Sequence, residues 1–161
     1  MIINHKNKYI FCSVPKTGCT TIMSQLNRDS LGQKPNIYHA PLYYGENIDT
    51  KYNDYYKFGF VRNPLDRFVS IFLEGISDLG HINEWSKDLL KYKNIKDFIV
   101  NFKNSGFQES IHFRPQYKFY YLNSKNYADK IYRYEDYNNA CKEISKKINI
   151  NINTNIHLRK V

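Results

Sequence analysis

A chain of 161 residues, 42% of them hydrophobic, has the size of one domain around one core, and its composition excludes the disordered and collagenous classes. No apolar run approaches the roughly 18 residues of a transmembrane helix, and Met1 leads into the basic stretch Asn4-His5-Lys6-Asn7-Lys8 without the apolar core of a signal peptide. A soluble, cytoplasmic-type domain over residues 1–161 with no membrane insertion is expected; its net charge of +9 gives the sign of a partner but not its identity.

The first element in chain order is a β-branched and aromatic run at 8–14, broken at Pro15 and followed by Lys16-Thr17-Gly18-Cys19-Thr20-Thr21 and a helix-compatible stretch to about Arg28. This reads as strand, turn, helix. Residues 30–36 are turn-rich, 37–39 suit a short strand, and 43–54 form a polar loop dense in Tyr, Asn and Asp. A second strand runs from Tyr56 to Val61 and ends at Arg62-Asn63-Pro64, where Pro at the first helical position and Asn63 as cap open an amphipathic helix through Phe68, Ile71 and Phe72. Beyond Gly75 the periodicity predicts helix in 84–92 and 95–103, and again from Arg114 or Pro115 to Leu122. Residues 129–134 read as a third sheet strand and Glu135-Asp136 as the start of a helix to Lys147; the tail at 148–156 suits an edge strand. Strands alternating with helices predict a three-layer α/β domain, a central parallel sheet with helices on both faces.

Chemistry concentrates at two strand ends. A parallel strand that turns through glycine into a helix presents free N–H groups and the positive end of the helix dipole, a combination that binds phosphate-like anions. Lys16 adds a point charge there, and Thr17, Thr20 and Thr21 add hydroxyl donors. The turn is not a Walker A loop, because its Lys precedes the only Gly by two residues, which disfavours a nucleotide kinase. The second strand delivers Arg62 at its carboxyl end, with Ser70 two helical turns further on. Ligands of open α/β sheets sit outside the carboxyl ends of strands. Two anion-selective ends in one domain predict a ligand with two separate anionic groups.

These two segments carry a family resemblance. Pro15-Lys16-Thr17-Gly18-Cys19-Thr20-Thr21 resembles the 5′-phosphosulfate loop of sulfotransferases, and Phe60-Val61-Arg62-Asn63-Pro64-Leu65-Asp66-Arg67-Phe68-Val69-Ser70 resembles their 3′-phosphate motif. The resemblance implies a P-loop-like fold that binds 3′-phosphoadenosine 5′-phosphosulfate (PAPS) and releases PAP, without a metal. It places Lys16 at the bridging oxygen, Gly18, Cys19, Thr20 and Thr21 in the loop contacts, and Arg62 and Ser70 on the 3′-phosphate. His112-Phe113-Arg114-Pro115-Gln116 and Tyr134-Glu135-Asp136 resemble segments of the Golgi-type carbohydrate sulfotransferases and their microbial relatives, which implies a glycan hydroxyl as acceptor.

Transfer to a hydroxyl needs a base. His39, between the two motifs, occupies the interval where relatives acting on heparan-type glycans hold a catalytic His or Glu; His112 is the rival, and a carboxylate or another group is the remaining alternative. Asp66 and Arg67 read as structural charges, and Cys12, Cys19 and Cys141, odd in number and without metal-ligand spacing, as small apolar fillers of a reducing compartment. The alternative class is a non-catalytic phosphate- or nucleic-acid-binding module, for which the 15 Tyr interleaved with Lys would provide stacking faces. The placement of Lys16 and Arg62 at strand ends, not in a stripe along one helix, argues against nucleic acid.

Overall fold

A computed structural model describes residues 1–26, 50–77 and 84–156. The chain divides into two compact units, residues 1–62 with 115–160 and residues 63–114. The first unit contains the sheet. Strand β1 (Ile2–Asn4) pairs antiparallel with β2 (Tyr9–Cys12), and β2 pairs parallel with β3 (Tyr56–Val61). Helix α1 (Cys19–Leu26) follows β2 in sequence. A two-stranded antiparallel ribbon, β4 (Tyr121–Leu122) with β5 (Lys125–Asn126), precedes β6 (Lys130–Arg133), which pairs parallel with β3 to complete the order β1-β2-β3-β6. Helix α4 (Tyr137–Ile148) closes the unit.

The predicted strands at 8–14, 56–61 and 129–134 are therefore present and mutually parallel, and β1 adds an antiparallel edge. Strand β2 is apolar and buried on both faces, as expected of a buried parallel strand, whereas β3 is aromatic on one face and carries Lys57 and Gly59 on the other. On one face Tyr9, Phe11, Phe58, Phe60 and Tyr132 join Ile22, Met23 and Leu26 of α1 and Ala140, Ile144 and Ile148 of α4 in a single core. Tyr9 donates from its hydroxyl to the Leu26 carbonyl, and the Phe60 and Tyr137 rings lie 5.5 Å apart, so both helices of this unit cover the same face.

The opposite face is covered differently. The helix expected from residue 114 or 115 to 122 is only a 3₁₀ turn, Gln116–Phe119, leading into the β4–β5 ribbon. Phe119 and Tyr120 are fully buried there, and Tyr120 donates its hydroxyl to the Phe60 carbonyl at 2.9 Å. Aromatic side chains at that spacing give a helical pattern, but two of them used as anchors on a sheet give it equally well. The tail at 148–156 is not a strand: Ile150 and Ile152 are buried in the core, while Asn153 N–H donates to Gln25 Oε1 at 2.6 Å. The three cysteines are buried free thiols, and burial pushes Cys141 up to about 11, consistent with fillers.

The second unit carries α2 (Pro64–Ile76) and α3 (Ile95–Asn101), with a 3₁₀ helix Glu84–Lys91 between them. Asn63 caps α2 as predicted, its side-chain oxygen accepting from the N–H groups of Leu65 and Asp66 at 2.9 and 3.4 Å. Helix α3 runs into a further 3₁₀ turn, Phe102–Asn104, so the predicted helix at 95–103 is split in two. The core here is aromatic, centred on fully buried Phe98, which meets Phe68, Phe72, Tyr92, Phe102, Phe107 and Phe113 at ring separations of 5.0 to 5.5 Å. No helix among the described residues is long and apolar enough to cross a membrane.

Gly59 sits where β2, β3 and Tyr120 converge. A Cβ there would collide with the Tyr120 hydroxyl and stand 2.8 Å from the Cys12 carbonyl. Gly59→Ala is expected to destabilise the protein by about 1–3 kcal/mol in chemical unfolding. Introduced into a Tyr120→Phe background it should cost less, because one obstacle is gone; equal costs in both backgrounds would contradict this packing.

Candidate functional site

Because β2 and β3 are parallel with Cys12 opposite Gly59, the segments that leave them, residues 13–18 and Val61-Arg62, emerge at the same end of the sheet. Strand pairing ends at Cys12, and the turn after Pro15 has unusual backbone: Lys16 at φ 64° and Gly18 at φ 76°, with Thr17 between them on the negative side. Alternation of hand in this way turns successive N–H groups toward one side. Thr17 is buried, and its hydroxyl donates to the Val14 carbonyl at 3.0 Å, which ties the turn to the strand it leaves. The first α1 hydrogen bond runs from Ile22 N–H to the Gly18 carbonyl at 3.2 Å. Cys19 and Thr21 in the first turn of α1 are buried, while Lys16, Gly18 and Thr20 are half-buried.

Arg62 meets this turn. Its Nη1 donates to the Lys16 carbonyl at 3.4 Å, and its guanidinium lies over the Tyr134 ring, 5.0 Å from the centroid. The same ring lies against Gly18, where a Cβ would stand 2.6 Å from the Tyr134 Cε2. Gly18 thus serves two requirements, a positive φ and room for an aromatic neighbour. Gln116 holds the Arg62 backbone from the other side, accepting from its N–H at 2.8 Å and donating to its carbonyl at 2.7 Å. Lys16, Thr17, Gly18, Cys19, Thr20, Thr21 and Arg62 all belong to the first unit, where the turn and Arg62 are brought together.

Ser70 and His112 belong to the second unit. Ser70 is buried on α2. Arg67, 5% exposed, donates from Nη2 to the His112 carbonyl, which makes it an internally paired structural charge as expected and anchors the backbone at the start of the segment that begins with His112. His112 is half-buried, and its N–H donates to Ser110 Oγ at 3.3 Å. His39 lies outside the described residues. No group of three or more His, Cys, Asp or Glu that could hold a metal ion occurs among the described residues.

Two residues of this arrangement are not foreseeable from local pattern. Tyr134 and Gln116 lie in segments that stand out by resemblance, yet nothing in those segments places either of them beside Arg62. Gln116 reaches Arg62 across 54 positions, and no local periodicity carries a contact of that separation. The available signal is weaker: an amide residue just after Pro115, and a Tyr directly after a parallel strand, are both placed at a carboxyl edge.

A model of the sulfotransferase family matches residues 1–160, so the match spans both units. The human protein carbohydrate sulfotransferase 9 is 28% identical in an alignment 133 residues long that covers 69% of this chain. The chain spans 29% of the length of that relative. No solved structure matches the chain.

The turn makes a prediction independent of chemistry. A non-glycine residue in the left-handed region costs about 1–2 kcal/mol, so Lys16→Gly should unfold at higher denaturant than Lys16→Ala although both lack the ammonium. Identical midpoints would contradict the φ of 64° at this residue.

Proposed function

We propose, for a chain that belongs to the sulfotransferase family, that it moves a sulfuryl group from PAPS to a hydroxyl of a carbohydrate acceptor. The observation that carries this reading is the meeting of Arg62 with the Lys16–Gly18 turn at the carboxyl ends of two adjacent parallel strands. A ligand lying across those ends would find the two anion-selective groups of the two motifs within one unit. The donor set fits a phosphosulfate on one side, with Lys16, the hydroxyls of Thr20 and Thr21 and the N–H groups of Thr17, Gly18 and Cys19, the Thr17 hydroxyl being used to hold the turn on the Val14 carbonyl. Arg62 suits a phosphate monoester on the other, and the family resemblance assigns Ser70 to the same phosphate.

PAPS supplies the sulfuryl group on a phosphosulfate anhydride. In transfer the S–O bond to the bridging oxygen breaks, a new S–O bond forms to the acceptor hydroxyl, and the hydroxyl proton leaves to a base. Lys16 is assigned to the bridging oxygen, where negative charge grows as the bond breaks and a fixed cation is most effective. Its held position suits that role, since a residue with strained backbone persists only where its surroundings over-determine it. His39 is assigned as the base that takes the proton, with His112 as the alternative. The carbohydrate acceptor rests on the name of the human relative and on the likeness of the His112–Gln116 and Tyr134–Asp136 segments to that branch of the family.

The reading is tested first by binding. PAP is expected to bind more tightly than ADP or ATP, and Arg62→Ala to weaken PAP roughly tenfold or more, the value of a lost charged hydrogen bond. Ser70→Ala should act in the same direction more weakly. An unchanged PAP affinity in Arg62→Ala would remove the 3′-phosphate assignment.

Turnover separates the remaining roles. Lys16→Ala should lower kcat by a larger factor than it raises the PAP dissociation constant, because its partner gains charge in the transition state; equal effects would count against it. His39→Ala should bind PAP normally yet lose on the order of 10²-fold in rate, and the parent rate should fall in acid as the imidazole becomes protonated and can no longer accept. Loss of transfer in His112→Ala with an unaffected His39→Ala would move the base to residue 112.

A further inference from the structure

The backbone of Arg62 lies just past the end of the sheet. The last paired residues of β3 are Val61, opposite Arg133 of β6, and Gly59, opposite Cys12 of β2. At Arg62 a side chain takes the place of a strand. The primary amide of Gln116 carries the same donor and acceptor as a peptide group, and both are used on one residue, Oε1 accepting from Arg62 N–H at 2.8 Å and Nε2 donating to Arg62 C=O at 2.7 Å.

Two bonds on opposite sides of the Cα fix both φ and ψ of Arg62 more firmly than either bond alone. The next residue cannot share the adjustment, because Pro64 confines Asn63 to extended backbone, observed at φ −44° and ψ 125°. The direction in which the Arg62 side chain leaves the backbone is therefore set largely by Gln116. That direction brings the guanidinium onto the Tyr134 ring and the Lys16 carbonyl. Gln116 itself is held in place at the start of a 3₁₀ turn whose Phe119 is fully buried.

We infer that Gln116 is a positioning residue that acts through Arg62, and that it sets the preference for a nucleotide bearing a 3′-phosphate over one bearing only a 5′-phosphate. The inference rests on the assignment of Arg62 to the 3′-phosphate made above. Its specific content is that an amide 54 residues away, without charge of its own, tunes discrimination between two adenine nucleotides.

Calorimetric titration of the full chain with PAP and with adenosine 5′-monophosphate tests it. Gln116→Ala should weaken PAP on the order of tenfold, the scale set by misdirecting a charged hydrogen bond, and change the monophosphate affinity by less than about twofold. Gln116→Met, which keeps the side-chain volume and loses both hydrogen bonds, should behave alike and guards against a variant that fails to fold. In an Arg62→Ala background Gln116→Met should leave the ratio of the two affinities where Arg62→Ala alone puts it.

Equal weakening of both nucleotides by Gln116→Met, or a further fall in the ratio when Arg62 is already absent, would overturn the inference in favour of a packing role. An unchanged ratio in Gln116→Met with a reduced one in Arg62→Ala would overturn it while leaving Arg62 on the 3′-phosphate. If Arg62→Ala itself leaves the ratio unchanged, the assignment of Arg62 fails and the inference falls with it.

Discussion

The parallel pairing of β2 with β3 in one register, Phe11 beside Phe58 and Cys12 beside Gly59, is the constraint on which the candidate site depends. Parallel strands release their carboxyl ends at the same edge, so the register decides that the turn after β2 and the arginine after β3 arrive together. A slip of one residue would reverse the faces of β3, driving Phe58 and Phe60 out of the core and Lys57 into it. The register is reinforced from the other face by Gly59, since the space of its missing side chain is filled by the Tyr120 hydroxyl and the Cys12 carbonyl. Core and site are thus specified by the same three residues of β3.

Around that edge the protein uses polar groups where a simpler fold would use strand pairing. The Lys16 backbone is in the left-handed region, a conformation most non-glycine residues avoid, and it is retained beside a glycine that has its own reason to be there. Tyr134 joins the two halves of the site, with its ring against Gly18 and under the Arg62 guanidinium. Since it directly follows β6, the third parallel strand contributes to the same edge as the first two. The tyrosine abundance is consistent with structural use: Tyr9, Tyr120, Tyr132 and Tyr137 are buried, and several other rings lie under lysines of the same chain, as Tyr56 lies under Lys147.

Much of this is legible in the sequence because it is local. Strand β3, the Asn63 cap and Pro64 opening of α2, and the turn at Pro15–Gly18 each announce themselves within a few residues. What is not legible is non-local or ambiguous in period. Phe119 and Tyr120 anchor a non-helical segment on a sheet face although their spacing also suits a helix, and Ile150 and Ile152 pack in the core without forming the edge strand that alternation suggests. The roles of Gln116 and Tyr134 require knowing which strand ends are neighbours. The acceptor base belongs to the same class of question, since sequence spacing ranks His39 and His112 but chemistry assigns a base by its distance from the reacting oxygen.

The central claim is that the edge formed by β2 and β3 supports sulfuryl transfer and not merely anion binding. The most direct measurement is incubation of the purified chain with PAPS carrying radiolabelled sulfur and a panel of desulfated glycans. Label covalently attached to a glycan, with one PAP released for each group transferred and both products formed far more slowly by Lys16→Ala, is the predicted result. Saturable PAP binding with no label entering any acceptor, or transfer that proceeds unchanged in Lys16→Ala, would contradict it.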